Sequence, residues 1–320
     1  METRSRSSNN IAILSSDGTQ ELAGRIQAGL RNKSLSCPHI LIKSWSFNNE
    51  EEGIHIPFSV RRRSVYFVHC PQLPNPNTGI IQALFAAEAG REGGAQEWVH
   101  ILPFIPYMRQ DRKDRPRVPI SAKAIAEILS KNADRIFTLD LHVEQAPGFF
   151  DIPVENLSAR YIFAKYFRKR FKGDISNIVI VAPDAGAHVR ATRFAEKLGK
   201  NVEVGVLRKS RQKDSKVKIE KYIGPDLTGK IAVQYDDIND TGNTNIEGVR
   251  FLRELRPKEV LTCFTHAIFS HDGVSSAEDK MRAEGVETVT TDSIPRNDVY
   301  IKKGSIETFR GLFILFSITH

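Results

Sequence analysis

Cysteine is scarce in this chain of 320 residues: Cys37, Cys70 and Cys263 are its only copies. They lack the close spacing of a zinc site and are too few for a disulfide framework, which excludes a disulfide-rich secreted protein. Long hydrophobic runs are also missing, since stretches such as 313–316 are far too short to span a bilayer. The first ten residues, METRSRSSNN, lack the apolar core of a secretion signal. We therefore expect a cytoplasmic protein with no membrane role.

Charge is unbalanced, with 46 Lys and Arg against 38 Asp and Glu, a net charge of +8. Hydrophobic residues make up 40% and charged residues 26%, which is typical of a globular protein. The positive residues concentrate at Arg109 to Arg117 and at Arg208 to Lys221, and neither stretch contains an aromatic residue that would stack on bases. We expect no nucleic-acid partner, which leaves small polyanions as the ligands that this charge favours.

Short β-rich runs alternate with helical stretches along most of the chain. The predicted strands are Ile11 to Leu14, Ile40 to Lys43, Val65 to His69, Val99 to Phe104, Ile136 to Leu141, Ile178 to Ala182, Val202 to Leu207, Ile231 to Tyr235, Val260 to Thr265 and Val286 to Thr290. The predicted helices include Gln20 to Arg31, Gly79 to Ala89, Ile120 to Ser130 and Ile246 to Leu255. This alternation predicts an α/β protein with two doubly wound, mainly parallel sheets, which bind ligands at the carboxyl ends of their strands.

We predict four segments from this pattern. Residues 1–10 form a disordered tail, 11–157 an N-terminal α/β domain, 158–305 a C-terminal α/β domain, and 306–320 a C-terminal segment that packs on the N-terminal domain.

The most informative stretch is YDDINDTGNT, from Tyr235 to Thr244, between a predicted strand and a predicted helix. Its adjacent Asp236 and Asp237 can accept hydrogen bonds from a ribose diol or hold Mg²⁺, while Thr241, Thr244 and the loop amides suit a phosphate beside a helix N-terminus. An acidic turn that only caps the helix is the simpler alternative. A calcium loop of the EF-hand type is disfavoured, because it would need acidic ligands where the chain has Asn and Gly.

Polar residues follow four further predicted strands. They are the loop Pro106 to Asp114, the stretch Asp140 to His142, Asp184, and the pair Lys209 and Arg211. Side chains alternate along a strand, so an Asp-x-His at a strand's end would place both groups on one face.

Taken together, these segments resemble the ribose-phosphate pyrophosphokinases from about Ile11 to Val299. The most specific stretch is PYMRQDRKDRPRVPISAK, from Pro106 to Lys123, and GFFDIPVENL from Gly148 to Leu157 supports it. A phosphoribosyltransferase would share the Asp236 loop without these segments. The resemblance implies domains of the phosphoribosyltransferase-like type and transfer of pyrophosphate from MgATP to the anomeric hydroxyl of ribose 5-phosphate, with release of AMP. The alternatives are a non-catalytic regulatory subunit of the same fold and a phosphoribosyltransferase.

The resemblance also implies roles for individual residues. The catalytic pair is Lys209 and Arg211, which the family holds in a mobile loop. The ATP-binding residues are Phe47, Asn49, Glu51, Arg109, Gln110, Asp114 and His142. The residues for ribose 5-phosphate are Asp236, Asp237, Asp240, Thr241, Gly242, Asn243 and Thr244. The metal ligands are His142, Asp184 and Asp140, with Mg²⁺ as the cofactor. We expect ATP and ribose 5-phosphate as substrates and a homo-oligomer, a dimer or a hexamer.

The chain departs from the family pattern at three places. Asn243 stands where a Gly is common, Arg190 alone remains where the family has a Lys as well, and the end Gly304 to His320 does not resemble the usual closing helix. Ser59, Arg61 and Arg117 match positions near the family's regulatory phosphate site, so nucleotide regulation stays open.

Overall fold

The computed structural model describes residues 10–211, 217–295 and 306–309, with backbone alone at 210, 211, 217, 218 and 306–309. The chain forms two compact units that divide between Leu157 and Ser158. Three residues of the range that we assigned to the C-terminal domain, Ser293–Pro295, belong instead to the first unit. The Cys70 thiol donates a hydrogen bond to the Ser293 carbonyl there. The tail predicted at residues 1–10 lies, apart from Asn10, outside the described residues.

The first unit contains a six-stranded sheet in which all the described pairs are parallel. The strands of the first unit, two of which lie outside this sheet, are β1 (Ile11–Ser15), β2 (His39–Leu41), β3 (Lys43–Ser46), β4 (Glu52–His55), β5 (Ser64–Val68), β6 (Glu97–Ile101), β7 (Arg135–Leu139) and β8 (Val154–Leu157). Its helices are α1 (Gln20–Arg31), α2 (Pro76–Glu92) and α3 (Ser121–Ser130), with a short 3₁₀ helix at Ala146–Phe149. The order across the sheet is β2-β1-β5-β6-β7-β8, and β3 pairs with β4 in a separate antiparallel hairpin.

Helix α2 shows how local sequence fixes this unit. The Asn75 side chain accepts hydrogen bonds from the backbone N–H groups of Asn77 and Thr78 and so caps the helix, and a proline occupies its first turn. Near its other end, Gly90 lets the helix approach the fully buried Trp98 of β6, because a Cβ at this position would lie 2.1 Å from the Trp98 ring.

The second unit contains a seven-stranded sheet of order β11-β10-β9-β12-β13-β14-β15, parallel except for the pair β10 and β11. Its strands are β9 (Ile178–Ala182), β10 (Glu203–Arg211), β11 (Val217–Ile223), β12 (Ile231–Asn239), β13 (Glu259–Ala267), β14 (Glu287–Thr291) and β15 (Ile306–Phe309). Its helices are α4 (Arg160–Arg170), α5 (His188–Leu198), α6 (Asn243–Glu254) and α7 (Ala277–Ala283). The expectation of mainly parallel α/β sheets is confirmed.

Tyr235 anchors the strand that carries the acidic stretch. Its ring lies 4.6 Å from that of Phe194 and 5.9 Å from that of Phe163, centroid to centroid, and it is 1% exposed. Burying such aromatic rings contributes about 2 kcal/mol each relative to exposure. The strand position just before Asp236 is therefore held firmly in the core.

Two features of the fold differ from what the sequence predicted. The hairpin β3–β4 was not predicted, since the pattern gave a single strand from Ile40 to Lys43. We also expected 306–320 to pack on the N-terminal domain, whereas 306–309 pair with β14 in the second sheet. The sequence IETF is rich in β-formers and completes the open edge that β14 would otherwise present. Residues 310–320 lie outside the described part of the chain. Among the described residues, no helix has the length and hydropathy needed to cross a bilayer.

Candidate functional site

The acidic pair of the second unit lies on a strand and not in a loop. We expected β12 to end at Tyr235, but it continues to Asn239, because the chain from Asp236 to Asn239 stays in register with β13. Arg190, in the first turn of α5, donates to both carboxylates through one nitrogen, Nη1, at 3.0 Å to Asp236 and 2.9 Å to Asp237. One guanidinium thus joins the amino end of α5 to the carboxyl-terminal half of β12.

The two carboxylates differ in access. The Asp237 side chain is 2% exposed and the Asp236 side chain 22%. Burial, reinforced by the negative charge of Asp237, raises the pKa of Asp236 well above its ordinary value, and Arg190 opposes the rise. Asp184 contributes to the same rise, which shows that it lies within electrostatic reach of the pair. Asp236 is thus the more accessible carboxylate of the pair, and both carboxylates hold Arg190.

The part of YDDINDTGNT that we expected to bind a phosphate, from Asp240 to Thr244, leads into the start of α6. Gly242 adopts a left-handed conformation with φ of 79° and is followed at once by the helix, whose first residue is Asn243. A Cβ at Gly242 would lie 3.0 Å from the Ala277 Cβ, so this position needs glycine both for its backbone angle and for space. The free N–H groups of the first turn, with Thr241 and Thr244 beside them, provide donors for an anion. We expected the helix from Ile246, but it starts three residues earlier.

Lys209 is paired with Asp184 in the same unit. Its Nζ lies 2.9 Å from Asp184 Oδ2, while Asp184 Oδ1 accepts the N–H of Ala187 and so closes the turn after β9. Burial raises the pKa of Asp184, but the hydrogen bond and charge of Lys209 outweigh it, and the pKa lies below its ordinary value. Asp184 is consequently an ionised carboxylate with a cation already beside it.

Lys209 and Arg211 are at the end of a strand, where we expected a loop. Both belong to β10, and β10 pairs with β11 up to Arg211. The register shifts between Arg208 and Lys209, and such an irregularity re-aims a side chain relative to the regular alternation. The Arg211 side chain and residues 212–216 lie outside the described parts of the structure. The predicted role of Arg211 therefore rests on the sequence alone.

In the first unit, the tip of the β3–β4 hairpin carries Phe47, Asn49 and Glu51. The Phe47 N–H donates to the Glu51 carbonyl at 2.7 Å, which closes the hairpin, and the Phe47 ring is 53% exposed. A ring that is held on a short turn and left open to solvent suits stacking on a planar base.

A cavity of about 790 Å³ lies beside this hairpin tip. Phe47 and Glu51 line it, together with Asn75, Asn77 and Phe85 at and after the start of α2. Its charged lining residues are the three glutamates at 50–52, with no lysine or arginine. Such a lining suits the base and sugar of a nucleotide better than its triphosphate.

The loop after β6 carries the other residues that we grouped with ATP. Arg109 and Asp114 are exposed, and Gln110 is held at the start of α3, where its Oε1 accepts from the Ser121 hydroxyl at 2.6 Å and its carbonyl accepts from Ala122 N–H. None of the three is among the lining of the cavity. The predicted ATP residues of this loop therefore lie outside the lining of the cavity, although Tyr107 of the same loop bonds to Asn77 of the lining.

Asp140 and His142 follow β7, but not as the strand alternation predicted. The strand ends at Leu139, and Asp140 has φ of 38°, so the rule that residues i and i+2 share a face does not apply there. The Asn156 side chain accepts from Leu141 N–H at 3.0 Å and holds this turn. Asp140 and His142 belong to the first unit, whereas Asp184 belongs to the second.

The donor chemistry of these residues fits Mg²⁺. Magnesium prefers oxygen ligands and retains several waters, so one or two carboxylates plus substrate phosphates complete its shell. Asp184 and Asp236 are carboxylates within electrostatic reach of each other. No cluster of three or more His, Cys, Asp or Glu side chains suited to a metal occurs among the residues that the structure describes. A dedicated protein cage of the zinc type is therefore not what these side chains form.

Residues 152–293 match the family model of the phosphoribosyl transferase domain. Together with the parallel sheet and the N–H donors at the start of α6, this match places the chain in the class of phosphoribosyltransferase-type α/β proteins. Residues 11–132 match the model described as the N-terminal domain of ribose phosphate pyrophosphokinase, which a plain phosphoribosyltransferase would not share.

Known proteins agree over nearly the whole length. The chain is 35% identical over 290 residues to a ribose-phosphate pyrophosphokinase of Fusobacterium nucleatum, covering 89% of this chain and 87% of the relative. It is 36% identical over 297 residues to one of Aquifex aeolicus, covering 88% and 90%. A phosphoribosylpyrophosphate synthetase structure from Mycobacterium smegmatis superposes with a TM-score of 0.81 at 27% identity, covering 97% of each chain. The chain belongs to the ribose-phosphate pyrophosphokinase family.

Sequence reasoning missed two features of the second unit. It noted Arg190 only as the cation that remains where the family has a Lys as well. In the structure, Arg190 is the shared partner of Asp236 and Asp237. It also overlooked Lys280, whose Nζ donates to the Thr241 carbonyl and to Asn243 Oδ1 within the phosphate-facing loop. No local pattern signals a contact between residues 37 positions apart, so only the fold reveals it.

Proposed function

We propose that this protein is an enzyme that transfers the β,γ-pyrophosphoryl group of ATP to the anomeric hydroxyl of ribose 5-phosphate. A bond forms between the anomeric oxygen and the β-phosphorus, the bond from that phosphorus to AMP breaks, and the hydroxyl loses its proton. The products are phosphoribosyl pyrophosphate and AMP. One observation carries the proposal: the second unit contains the acid pair Asp236 and Asp237, the N–H donors at the start of α6, and Lys209 held by Asp184.

In this proposal the second unit binds the sugar. Asp236 accepts hydrogen bonds from the ribose hydroxyls, and Asp237 holds Arg190 and so keeps Asp236 in place. The stretch from Asp240 to Thr244 binds the 5-phosphate through backbone N–H groups and threonine hydroxyls. Burial and Asp237 raise the pKa of Asp236 despite Arg190, so a cation or hydroxyl donors of a ligand would stabilise its charged form.

The first unit binds ATP in the proposal. Phe47 stacks on the purine, and Asn49 and Glu51 bind its polar edge or the ribose. Arg109 binds phosphate oxygens through its planar guanidinium, which suits bidentate contacts. Further contacts to ATP come from Gln110, Asp114 and His142.

Lys209 and Arg211 stabilise the group in transfer. Negative charge spreads over the phosphate oxygens as the bond to AMP breaks, and cations that are fixed in advance lower that barrier. Lys209 is fixed in this way, because its ammonium lies 2.9 Å from Asp184 Oδ2. No covalent intermediate with the enzyme is required, since positioning and charge suffice.

Mg²⁺ is the cofactor of the proposal. The candidate ligands are Asp140 and His142 in the first unit and Asp184 in the second. When bound with ATP, the ion neutralises phosphate charge. Each of these side chains is an oxygen or imidazole donor, and Asp184 is kept ionised.

We also propose a cytoplasmic homo-oligomer, a dimer or a hexamer, without a nucleic-acid or membrane partner. The buried thiols of Cys37, Cys70 and Cys263, none of which forms a disulfide, support a reducing compartment. Light scattering of the purified protein measures its assembly size, and a monomer at all concentrations would overturn that part.

The test of the function is a nucleotide assay by chromatography. We expect ATP to be converted to AMP, and not to ADP, only when ribose 5-phosphate and Mg²⁺ are present. Lys209→Ala serves as the inactive comparison, and Lys230→Ala, which removes an exposed pair with Glu203, as the matched control. Absence of AMP from wild-type protein under these conditions would indicate a non-catalytic subunit instead.

A further inference from the structure

Helices α4 and α5 of the second unit concentrate the excess positive charge of the chain. Helix α4 has five Lys or Arg and no acid, and α5 has three against one acid, Glu196, in a chain whose net charge is +8. Two of these cations are used within the unit, because Arg170 pairs with Glu259 and Glu287, and Arg190 holds the acid pair of β12. The remaining cations need another explanation.

The two helices are packed firmly against each other. The ring of Phe163 in α4 lies 6.2 Å from that of Phe194 in α5, centroid to centroid, and both residues are fully buried. Arg168 of α4 donates from Nη2 to the carbonyls of Lys197 and Leu198, both at 2.8 Å. The last carbonyls of a helix lack partners within it, so this guanidinium caps α5 and ties it to α4. The outward side of the helix pair is therefore held in shape without a partner.

An exposed tyrosine joins the cations of the two helices. Tyr161, Lys165 and Arg168 are exposed and follow the spacing i, i+4, i+7, which places them on one side of α4. The Tyr161 ring lies 4.4 Å from Lys197 Nζ of α5 and 5.2 Å from Arg160 Cζ, measured to the ring centroid. A hydrogen bond with Arg160, together with the charges of Arg160 and Lys197, lowers the pKa of the Tyr161 hydroxyl.

These cations have no carboxylate of their own. In the part of the chain that the structure describes, no Asp or Glu forms an ion pair with any member of the set Arg160, Lys165, Arg168, Lys169 and Lys197. We call this set, with Tyr161, the basic face. Like charges three or four positions apart on a helix, such as Lys165 and Lys169, cost stability. The basic face therefore opposes folding slightly, and the fold does not account for it.

We propose that the basic face is an interaction surface for an acidic segment of a partner protein. Asp and Glu side chains of such a segment supply the counter-charges that the unit lacks. Tyr161 gives the surface an amphipathic centre, and Arg168 a guanidinium that is already fixed. Tyrosine and arginine are among the residues that contribute most to protein interfaces, and a surface that is ordered in advance loses less entropy on binding.

Two other polyanions fit the basic face less well. A single-stranded nucleic acid gains much of its affinity from bases stacked on aromatic rings, but Lys197 already lies over the Tyr161 ring. An anionic bilayer is bound by surfaces that also insert several apolar side chains. On these two helices the exposed large apolar side chains are Tyr161 and Val189, which are too few for insertion.

The test measures binding of a fluorescein-labelled peptide of alternating Glu and Leu by anisotropy. The peptide has about twelve residues, and the salt is about 150 mM, so that charges further apart than ~8 Å are screened. We expect the double variant Lys165→Glu with Lys197→Glu to weaken Kd at least about tenfold, because two attractive contacts become repulsive. Tyr161→Ala should weaken Kd about threefold or more.

The matched control is the double variant Lys131→Glu with Lys258→Glu. Both lysines are exposed and lie outside α4 and α5, and the net charge changes by the same amount. The control should change Kd less than about twofold, since distant surface charges are screened. Both double variants should keep the Tm and the AMP-forming activity of the wild type, because none of the four lysines belongs to the proposed catalytic machinery.

Selective weakening in the basic-face variants, with the control unchanged, supports the proposal. Equal weakening in both double variants, or no binding of the peptide to wild type, overturns it. Labelled oligo(dT) and phosphatidylserine vesicles are tested in parallel. Binding of either one that the basic-face variant loses, with peptide binding kept, assigns the surface to a nucleic acid or a bilayer and overturns the proposal. A smaller assembly of that variant in light scattering, with peptide binding kept, assigns the surface to a second copy of the chain and overturns it too.

Discussion

Two histidines in the core of the first unit should make its stability depend steeply on pH. His100 is fully buried beside the rings of Phe67 and Trp98, and its two ring nitrogens have no hydrogen-bond partner among the described residues. His69 is 1% exposed, donates from Nε2 to the Gly79 carbonyl and accepts from the Ser16 hydroxyl at Nδ1, both at 2.7 Å. Both are thus held as neutral imidazoles.

The pKa values give the magnitude. Burial lowers the pKa of His69 to about 4, and burial with the nearby His69 lowers that of His100 to about 3, against 6.5 for the ordinary side chain. Because the folded pKa is depressed, the unfolded chain takes up more protons, and stability falls as pH drops below 6.5. Between pH 7.5 and pH 5 each histidine should cost about 2 kcal/mol, so the pair costs about 4 kcal/mol. This is a large part of a typical stability of 5–15 kcal/mol.

The perturbation is His100→Phe, and the assay is urea unfolding followed by tryptophan fluorescence at both pH values. The chain has two tryptophans, Trp45 and Trp98, and both lie in the first unit, so the signal reports on that unit. The variant should lose about 2 kcal/mol less than wild type on acidification. Thr138→Val is the matched control: it removes a buried polar group that has no partner in the described chain, a hydroxyl that does not titrate, and it should keep the wild-type pH dependence. Equal acid sensitivity of wild type and His100→Phe would refute the reasoning.

Three further substitutions test the second unit. Lys209→Ala should lower kcat at least a hundredfold with both KM values nearly unchanged, as single-turnover kinetics would show, and a selective loss of ribose 5-phosphate affinity would contradict its role. Arg190→Gln leaves Asp236 and the buried Asp237 without their shared cation, so urea unfolding should show a loss of about 3 kcal/mol; a loss below 1 kcal/mol would mean that the pair is not held this way. Gly242→Ala should cost about 1 kcal/mol in unfolding and raise the KM for ribose 5-phosphate, because its φ of 79° and its contact with α7 leave no place for a methyl group; unchanged constants would refute this.

The alternation of apolar runs was enough to predict the two parallel sheets, because buried parallel strands are nearly continuous in apolar residues. Helix α1 was predicted with its observed bounds, Gln20–Arg31. Strand ends were predicted less well, since Asp236 and Asp237 are polar and are nevertheless kept in β12 by pairing with β13. Pairing with a distant strand is not visible in local composition.

The same limit applies to the candidate site. The acidic pair, the loop before α6 and Lys209 were singled out from residue types and family resemblance, and their roles stay predictions. The contact of Lys280 with Asn243 was not, because it depends on how α7 packs on the start of α6. The strand position of Lys209 was missed for the same reason, because it depends on the pairing of β11 with β10.

The central claim is that a pyrophosphoryl group moves as one unit from ATP to the sugar. Phosphorus NMR of wild-type protein with MgATP and ribose 5-phosphate tests it most directly. The account predicts equal amounts of AMP and of a new sugar that carries two coupled phosphorus signals beside its 5-phosphate. Formation of ADP with a sugar bearing a single new phosphate, or no change in the spectrum across divalent metals and phosphate concentrations, would contradict it.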